Sequence, residues 1–172
     1  MNIRSTGLPG AVLAAALALA AVPAAAQPVP GQVIGAPQLD RQKAFIEQYA
    51  KAHPDAVRLP TGVVYRVLRP GKPGSPKPRI TDQVRVHYEG KLIDGRVFDS
   101  SYRRDETSLF HLPKLIKAWQ DTIPLMSIGE KIEMVVPSEQ GYGSKGSEDI
   151  PPNATLVFTM ELFEALPGPV LR

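Results

Sequence analysis

The chain has 172 residues, with 20 Lys and Arg against 17 Asp and Glu, and no cysteine. A net charge of +3 with no long basic cluster argues against nucleic acid as a partner, and the absence of thiols excludes disulfide staples and thiolate metal centres. Core packing has to hold the fold.

Arg4 precedes an apolar stretch from Leu8 to Val22 and then Ala24-Ala25-Ala26, the arrangement of a secretory signal peptide with an Ala-x-Ala cleavage site. The run is shorter than the ~20 residues of a spanning helix, and Pro9 and Pro23 interrupt its flanks, so no membrane span is expected after cleavage. Removing residues 1–26 leaves 146, the size of one domain, and a periplasmic location is expected. Residues 27–38, with Pro28, Pro30, Gly31, Gly35 and Pro37, read as a flexible linker.

Next comes a short helical segment, residues 39–60. Asp40 can cap a helix, and Phe45, Ile46, Tyr49 and Ala50 recur at helical spacing until His53-Pro54, which predicts a helix from Asp40 to Ala52. Its apolar stripe is expected to dock on its own domain in preference to a second copy, so a monomer is favoured over a dimer.

From Thr61 the pattern becomes strand-like, over a domain expected to span 61–167 before a tail at 168–172. Val63, Tyr65 and Val67 alternate with Val64, Arg66 and Leu68; Val84, Val86 and Tyr88 alternate with Arg85, His87 and Glu89. Asp94-Gly95 between Leu92-Ile93 and Val97-Phe98 is a hairpin signal. Ile132, Met134 and Val136 mark a later strand, and Leu156, Phe158, Met160 and Leu162 the last. Between them a helix is predicted from Lys114 to Ile123, with Ile116, Trp119 and Ile123 on one face and Pro124 at its end. The expected class is α+β: an antiparallel twisted sheet, a half barrel, wrapped around one short helix and preceded by one N-terminal helix.

Phe98-Asp99-Ser100-Ser101-Tyr102, Trp119, and the stretch from Gly141 to Phe158 space aromatic rings around few polar atoms. Such a set suits a small dry pocket for an apolar ligand better than it suits bond-making chemistry. Ser100 or Ser101 with His87 or His111 lacks the Gly-x-Ser-x-Gly elbow of a serine hydrolase. His53, His87 and His111 are too widely separated for a metal site, and Gly141-x-Gly143 has no following GKS or GKT to bind phosphate. No cofactor and no metal is expected.

VRVHYEGKLIDGRVFDSSY, Leu115-Ile116-x-x-Trp119, GEKIEMVVPSEQGYG and IPPNATLVFTMELF, in this order over about Gly62 to Ala165, resemble an FKBP-type peptidyl-prolyl cis-trans isomerase. The N-terminal features are similar to those of exported, macrophage-infectivity-potentiator-like bacterial members. The resemblance implies Asp99, Tyr142 and Tyr88 as catalytic side chains. It implies Phe98, Arg104, Phe110, Leu115, Ile116, Trp119, Ile150 and Phe158 as substrate-binding ones, with Trp119 as the floor under a proline ring. The partners implied are unfolded, proline-containing polypeptides and macrolides of the rapamycin class. A rival reading keeps the same pocket as a peptide-binding chaperone module with marginal isomerisation.

Overall fold

Strand pairing dominates the chain, and the computed structural model describes residues 36–168. The expected signal peptide, linker residues 27–35 and tail residues 169–172 lie outside the described residues. The elements in order are α1 (Ala36–Ala52), β1 (Val57–Arg58), β2 (Val64–Arg69), β3 (Gln83–Leu92), β4 (Val97–Ser100), β5 (Ser108–His111), α2 (Lys117–Thr122), β6 (Lys131–Val136) and β7 (Leu156–Leu166). All seven strands join one antiparallel sheet in the order β1-β2-β6-β7-β3-β4, with β5 also paired to β3.

β3 organises the sheet because its alternation is strict: every second residue from Val84 to Leu92 is buried. One edge bonds β7 along the full length of β3. The other edge is divided, β4 pairing with the C-terminal half and β5 with the N-terminal half. The hairpin into β4 turns at Asp94-Gly95 as its sequence predicts; Gly95 has φ +88° and Asp94 accepts the Arg96 N–H at 2.9 Å.

Inward side chains of β3, β6 and β7, among them Val86, Met134 and Leu162, enclose Ala118, Trp119 and Ile123 of the short helical segment in one core. On the outer face, Val64 and Val135 pack with Ile46, Phe45 and Tyr49 of α1. The helix therefore docks on its own domain. Tyr49 donates to Glu133 at 2.8 Å, Arg66 pairs with the same carboxylate at 3.0 Å, and Gln42 accepts the Thr155 N–H at 2.7 Å. Among the described residues no helix is long and apolar enough to cross a membrane.

Three expectations are adjusted. α1 begins at Ala36, because a proline in a first turn forfeits no helical hydrogen bond, and Asp40 sits inside the helix instead of capping it. The expected Lys114–Ile123 helix is α2 alone, flanked by 3-10 turns at Leu112–Lys114 and Ile123–Leu125 where Pro113 and Pro124 fall. Val67 and Leu68 are both exposed, since β2 runs past the core and its pairing with β6 slips between Val67 and Arg69.

Candidate functional site

Tyr88 on β3, Phe98 and Asp99 on β4, Phe110 on β5 and Phe158 on β7 all face the same hollow above α2. Leu115, Ile116, Trp119 and Tyr142 complete its lining. The cavity holds about 180 Å³. At ~30 Å³ per water in the liquid, that is room for about six waters, or for one small ring and its neighbours.

Trp119 forms the base, 4% exposed, with three rings set edge-on around it. Centroids lie 5.1 Å away for Tyr88, 5.3 Å for Phe158 and 6.0 Å for Phe110, at interplanar angles of 68° to 81°. Phe98 meets Phe158 at 5.6 Å and 89°. Edge-to-face packing places positive ring edges on negative ring faces and is worth about 0.5–1.5 kcal/mol per pair beyond burial. The walls are therefore set before any ligand arrives.

Two chain features hold this arrangement. Gly90 lies behind the rings, where an added Cβ would meet Phe98 at 2.5 Å and Phe158 at 2.8 Å. Gln120 donates to the carbonyls of Leu115 at 2.7 Å and Pro113 at 3.3 Å, tying down the segment that carries Leu115 and Ile116. Sequence reasoning singled out neither, although a lone glycine inside an alternating strand signals a bulge or close approach, and the β3–β4 register does shift between Gly90 and Lys91.

The polar wall is a three-membered network. Arg104 donates to one oxygen of Asp99 at 2.7 Å and to the Tyr88 hydroxyl at 3.2 Å, while that hydroxyl donates to the other Asp99 oxygen. Burial pushes the Asp99 carboxyl up, but the hydrogen bonds from Arg104 and Tyr88 and the guanidinium charge outweigh it, and the group is held below the ordinary carboxylate value. Burial, together with the Asp99 hydrogen bond, pushes the Tyr88 phenol up to about 12. Tyr142 is raised by burial and by the Asp99 charge, so it keeps its proton, and its hydroxyl has no hydrogen-bond partner among the described residues. One fixed anion and one free donor thus border an apolar hollow.

The loop from Ser138 to Ala154 presents Tyr142 through bonds within itself: Gly143 N–H to Ser138 at 2.8 Å, Gly146 N–H to Tyr142 at 3.2 Å, and Asn153 N–H to Gly143 at 2.9 Å. Gly146 is obligatory there, since φ is +68° and a Cβ would lie 2.2 Å from the Ile150 carbonyl. Of the residues expected in the site, Arg104 reaches it through Asp99, and Ile150 stands apart from the lining. The Ile150 side chain is buried in the core and its N–H donates to Ser147 at 3.1 Å, so a substrate carbonyl has to displace that turn bond to reach it.

His87 does meet Ser101, at 2.5 Å between Nδ1 and Oγ. That serine is fully buried and bonded to the Tyr88 backbone, and among the described residues no carboxylate bonds the histidine, which excludes a nucleophile there. Among the described residues no three His, Cys, Asp or Glu side chains gather so as to hold a metal ion.

A half-barrel sheet with a ring-lined, ligand-sized hollow over a short helix defines an α+β class of protein with one small apolar cavity. The family model for FKBP-type peptidyl-prolyl cis-trans isomerase matches residues 74–163, and the chain belongs to that family. It is 42% identical over 127 residues to the FKBP-type peptidyl-prolyl cis-trans isomerase FkpA of Escherichia coli strain K12, covering 74% of this chain and 46% of that one. It is 39% identical over 127 residues to the macrophage infectivity potentiator of Trypanosoma cruzi, covering 73% and 64%. The crystal structure of FkpA from Escherichia coli superposes with a TM-score of 0.72 at 40% identity, over 76% of this chain and 60% of that one. A peptidyl-prolyl cis-trans isomerase structure from Pseudomonas syringae pv. tomato reaches 0.71 at 33% identity, over 79% and 99%. The chain spans about half the length of the curated relative FkpA.

Proposed function

We propose that the protein accelerates cis/trans rotation about X–Pro bonds of exported polypeptides, with the proline ring seated on Trp119. The observation that carries this reading is the convergence of Tyr88, Phe98, Phe158 and Trp119 on one apolar cavity beside a fixed carboxylate and a free phenol donor.

Rotation about a peptide bond faces about 18–20 kcal/mol because of C–N double-bond character, and X–Pro isomers interconvert over tens to hundreds of seconds. Reaching milliseconds needs about four to five decades, on the order of 6 kcal/mol. No covalent step is needed. Water hydrogen-bonds the planar, charge-separated amide better than the twisted one, so moving the bond into the ring-lined cavity favours the twisted form. Burial of the proline ring supplies binding at roughly 25 cal/mol per Å², and a cavity shaped to the twisted amide turns part of it into rate.

Tyr142 donates to a substrate carbonyl, and the Ile150 N–H takes a second once its bond to Ser147 opens. Asp99 orients and polarises; held ionised by Arg104 and Tyr88, it has no proton to give at neutral pH. Proline-containing unfolded chains are the substrate class, macrolides of the rapamycin class are a second ligand class for the same cavity, and export to the periplasm, with the protein as a monomer, completes the reading.

The test follows exchange in an Ala-x-Pro peptide with and without protein, beside aggregation of a proline-free client. Faster exchange, abolished by Trp119→Ala, supports the isomerase. Suppressed aggregation without faster exchange replaces it with the chaperone reading.

A further inference from the structure

The β3–β4 ladder ends abnormally, and Ser101 is where it does so. Glu89 pairs with Ser100, so Tyr88 and Ser101 form the next rung. Half of that rung is ordinary: the Ser101 N–H donates to the Tyr88 carbonyl at 2.9 Å. The other half is substituted, since the Tyr88 N–H donates at 2.7 Å to the Ser101 side-chain oxygen and not to its carbonyl. The Ser101 carbonyl is thereby released, and it accepts the N–H groups of Arg104 at 3.1 Å and Glu106 at 3.3 Å. The Arg104 bond, with the Asp105 N–H on the Tyr102 carbonyl at 3.1 Å, forms the 3-10 turn Tyr102–Arg104, and the Glu106 bond closes the wider loop that returns the chain to β3 as β5.

We infer that Ser101 is a positioning residue for the isomerase site: its hydroxyl stands in for a strand carbonyl, fixing the Tyr88 backbone and freeing the turn that lays Arg104 on Asp99. The inference rests on the isomerase reading. A hydroxyl is the group that fits, because Oγ accepts from the Tyr88 N–H and also donates to the Tyr88 carbonyl, 3.1 Å away. With its proton on Nδ1, His87 donates to the same oxygen at 2.5 Å, and every polar atom around this fully buried serine is satisfied. The His87 ring also stacks on Tyr102, centroids 3.9 Å apart, bracing the turn from the outer face. Alanine at 101 leaves the Tyr88 N–H without an acceptor, and the backbone has to reclaim the carbonyl that Arg104 depends on.

The test uses the full-length protein carrying Ser101→Ala, Ser101→Cys and Ser101→Thr, each alone and with Arg104→Ala. Its readouts are peptide exchange and titration of the Asp99 carboxyl by NMR. Ser101→Ala is expected to lower kcat/KM about tenfold, as loss of substrate-site geometry does, and to raise the Asp99 pKa. Ser101→Cys, a weak acceptor of similar size, behaves alike and replaces the alanine variant should that one not fold. Ser101→Thr, which keeps the oxygen, restores both readouts. In the Arg104→Ala background Ser101→Ala costs clearly less than the tenfold it costs alone, because the turn no longer carries a guanidinium to Asp99 and only the hold on the Tyr88 backbone is left to lose. Wild-type exchange and titration in Ser101→Ala, or losses that multiply in the double variant, overturn the inference while leaving the isomerase reading intact. No acceleration by the wild-type protein overturns both.

Discussion

Gly90→Ala adds one methyl group behind the cavity wall, and the structure fixes what that methyl must do. The new Cβ would lie 2.5 and 2.7 Å from two Phe98 ring atoms and 2.8 Å from Phe158. Carbon atoms rest at about 3.5–4.0 Å, so the rings have to retreat by about 1 Å. Both line the cavity, so retreat shrinks a space of only about 180 Å³. Overpacking of this kind costs about 1–3 kcal/mol, which for a domain of this size lowers Tm by about 4–12 °C. Backbone strain adds nothing, since φ at Gly90 is not positive. Calorimetric titration with a proline peptide reports the cavity directly, and affinity is expected to fall at least tenfold while circular dichroism at 25 °C stays native. A variant that loses Tm yet binds and exchanges the peptide like wild type would refute the claim that these two rings form the substrate wall.

Trp119→Ala should abolish peptide binding and cost about 3–5 kcal/mol by denaturant melt, whereas Asp99→Ala should mainly slow exchange with binding retained; equal wild-type rates in both contradict the assignment. Exchange rates measured from pH 5 to pH 8 should be flat, because Asp99 stays ionised and Tyr88, pushed up to about 12, stays protonated; a bell in that window would mean proton transfer. Since the folded Asp99 carboxyl lies below its unfolded value, its stabilisation is present above that unfolded value and is lost as pH falls through the folded one, and Arg104→Ala should move the acid limb of a stability profile to higher pH. Glu133→Ala removes the acceptor shared by Tyr49 and Arg66, so α1 amides should exchange faster and stability fall by about 1–3 kcal/mol, with peptide exchange unchanged.

β3 and its hairpin were legible because alternation and Asp94-Gly95 are local signals with one structural answer. β5 was not: Ser108–His111 carries no turn flank, and its only reason to be a strand is the open edge of β3 beside it. α1 was misplaced by four residues because Asp40 offers a plausible cap while Pro37 is tolerated one turn earlier. In the site, the aromatic positions could be read from resemblance and spacing, since rings announce themselves. The groups that place the rings could not be read in this way. Gly90 acts by having no side chain and Ser101 by imitating a backbone atom.

The two faces of the sheet are written into the same strands. In β6 and β7, Met134 and Phe158 look inward while their immediate neighbours Val135 and Val157 look outward toward α1. Deleting a single residue ahead of Phe158 in β7 would exchange the two faces at once, turning the Phe158 ring toward the helix seat and a seat residue toward the cavity. Sequence drift in this protein is thereby channelled: point replacement can tune one face without the other, but length changes must be confined to the connecting turns.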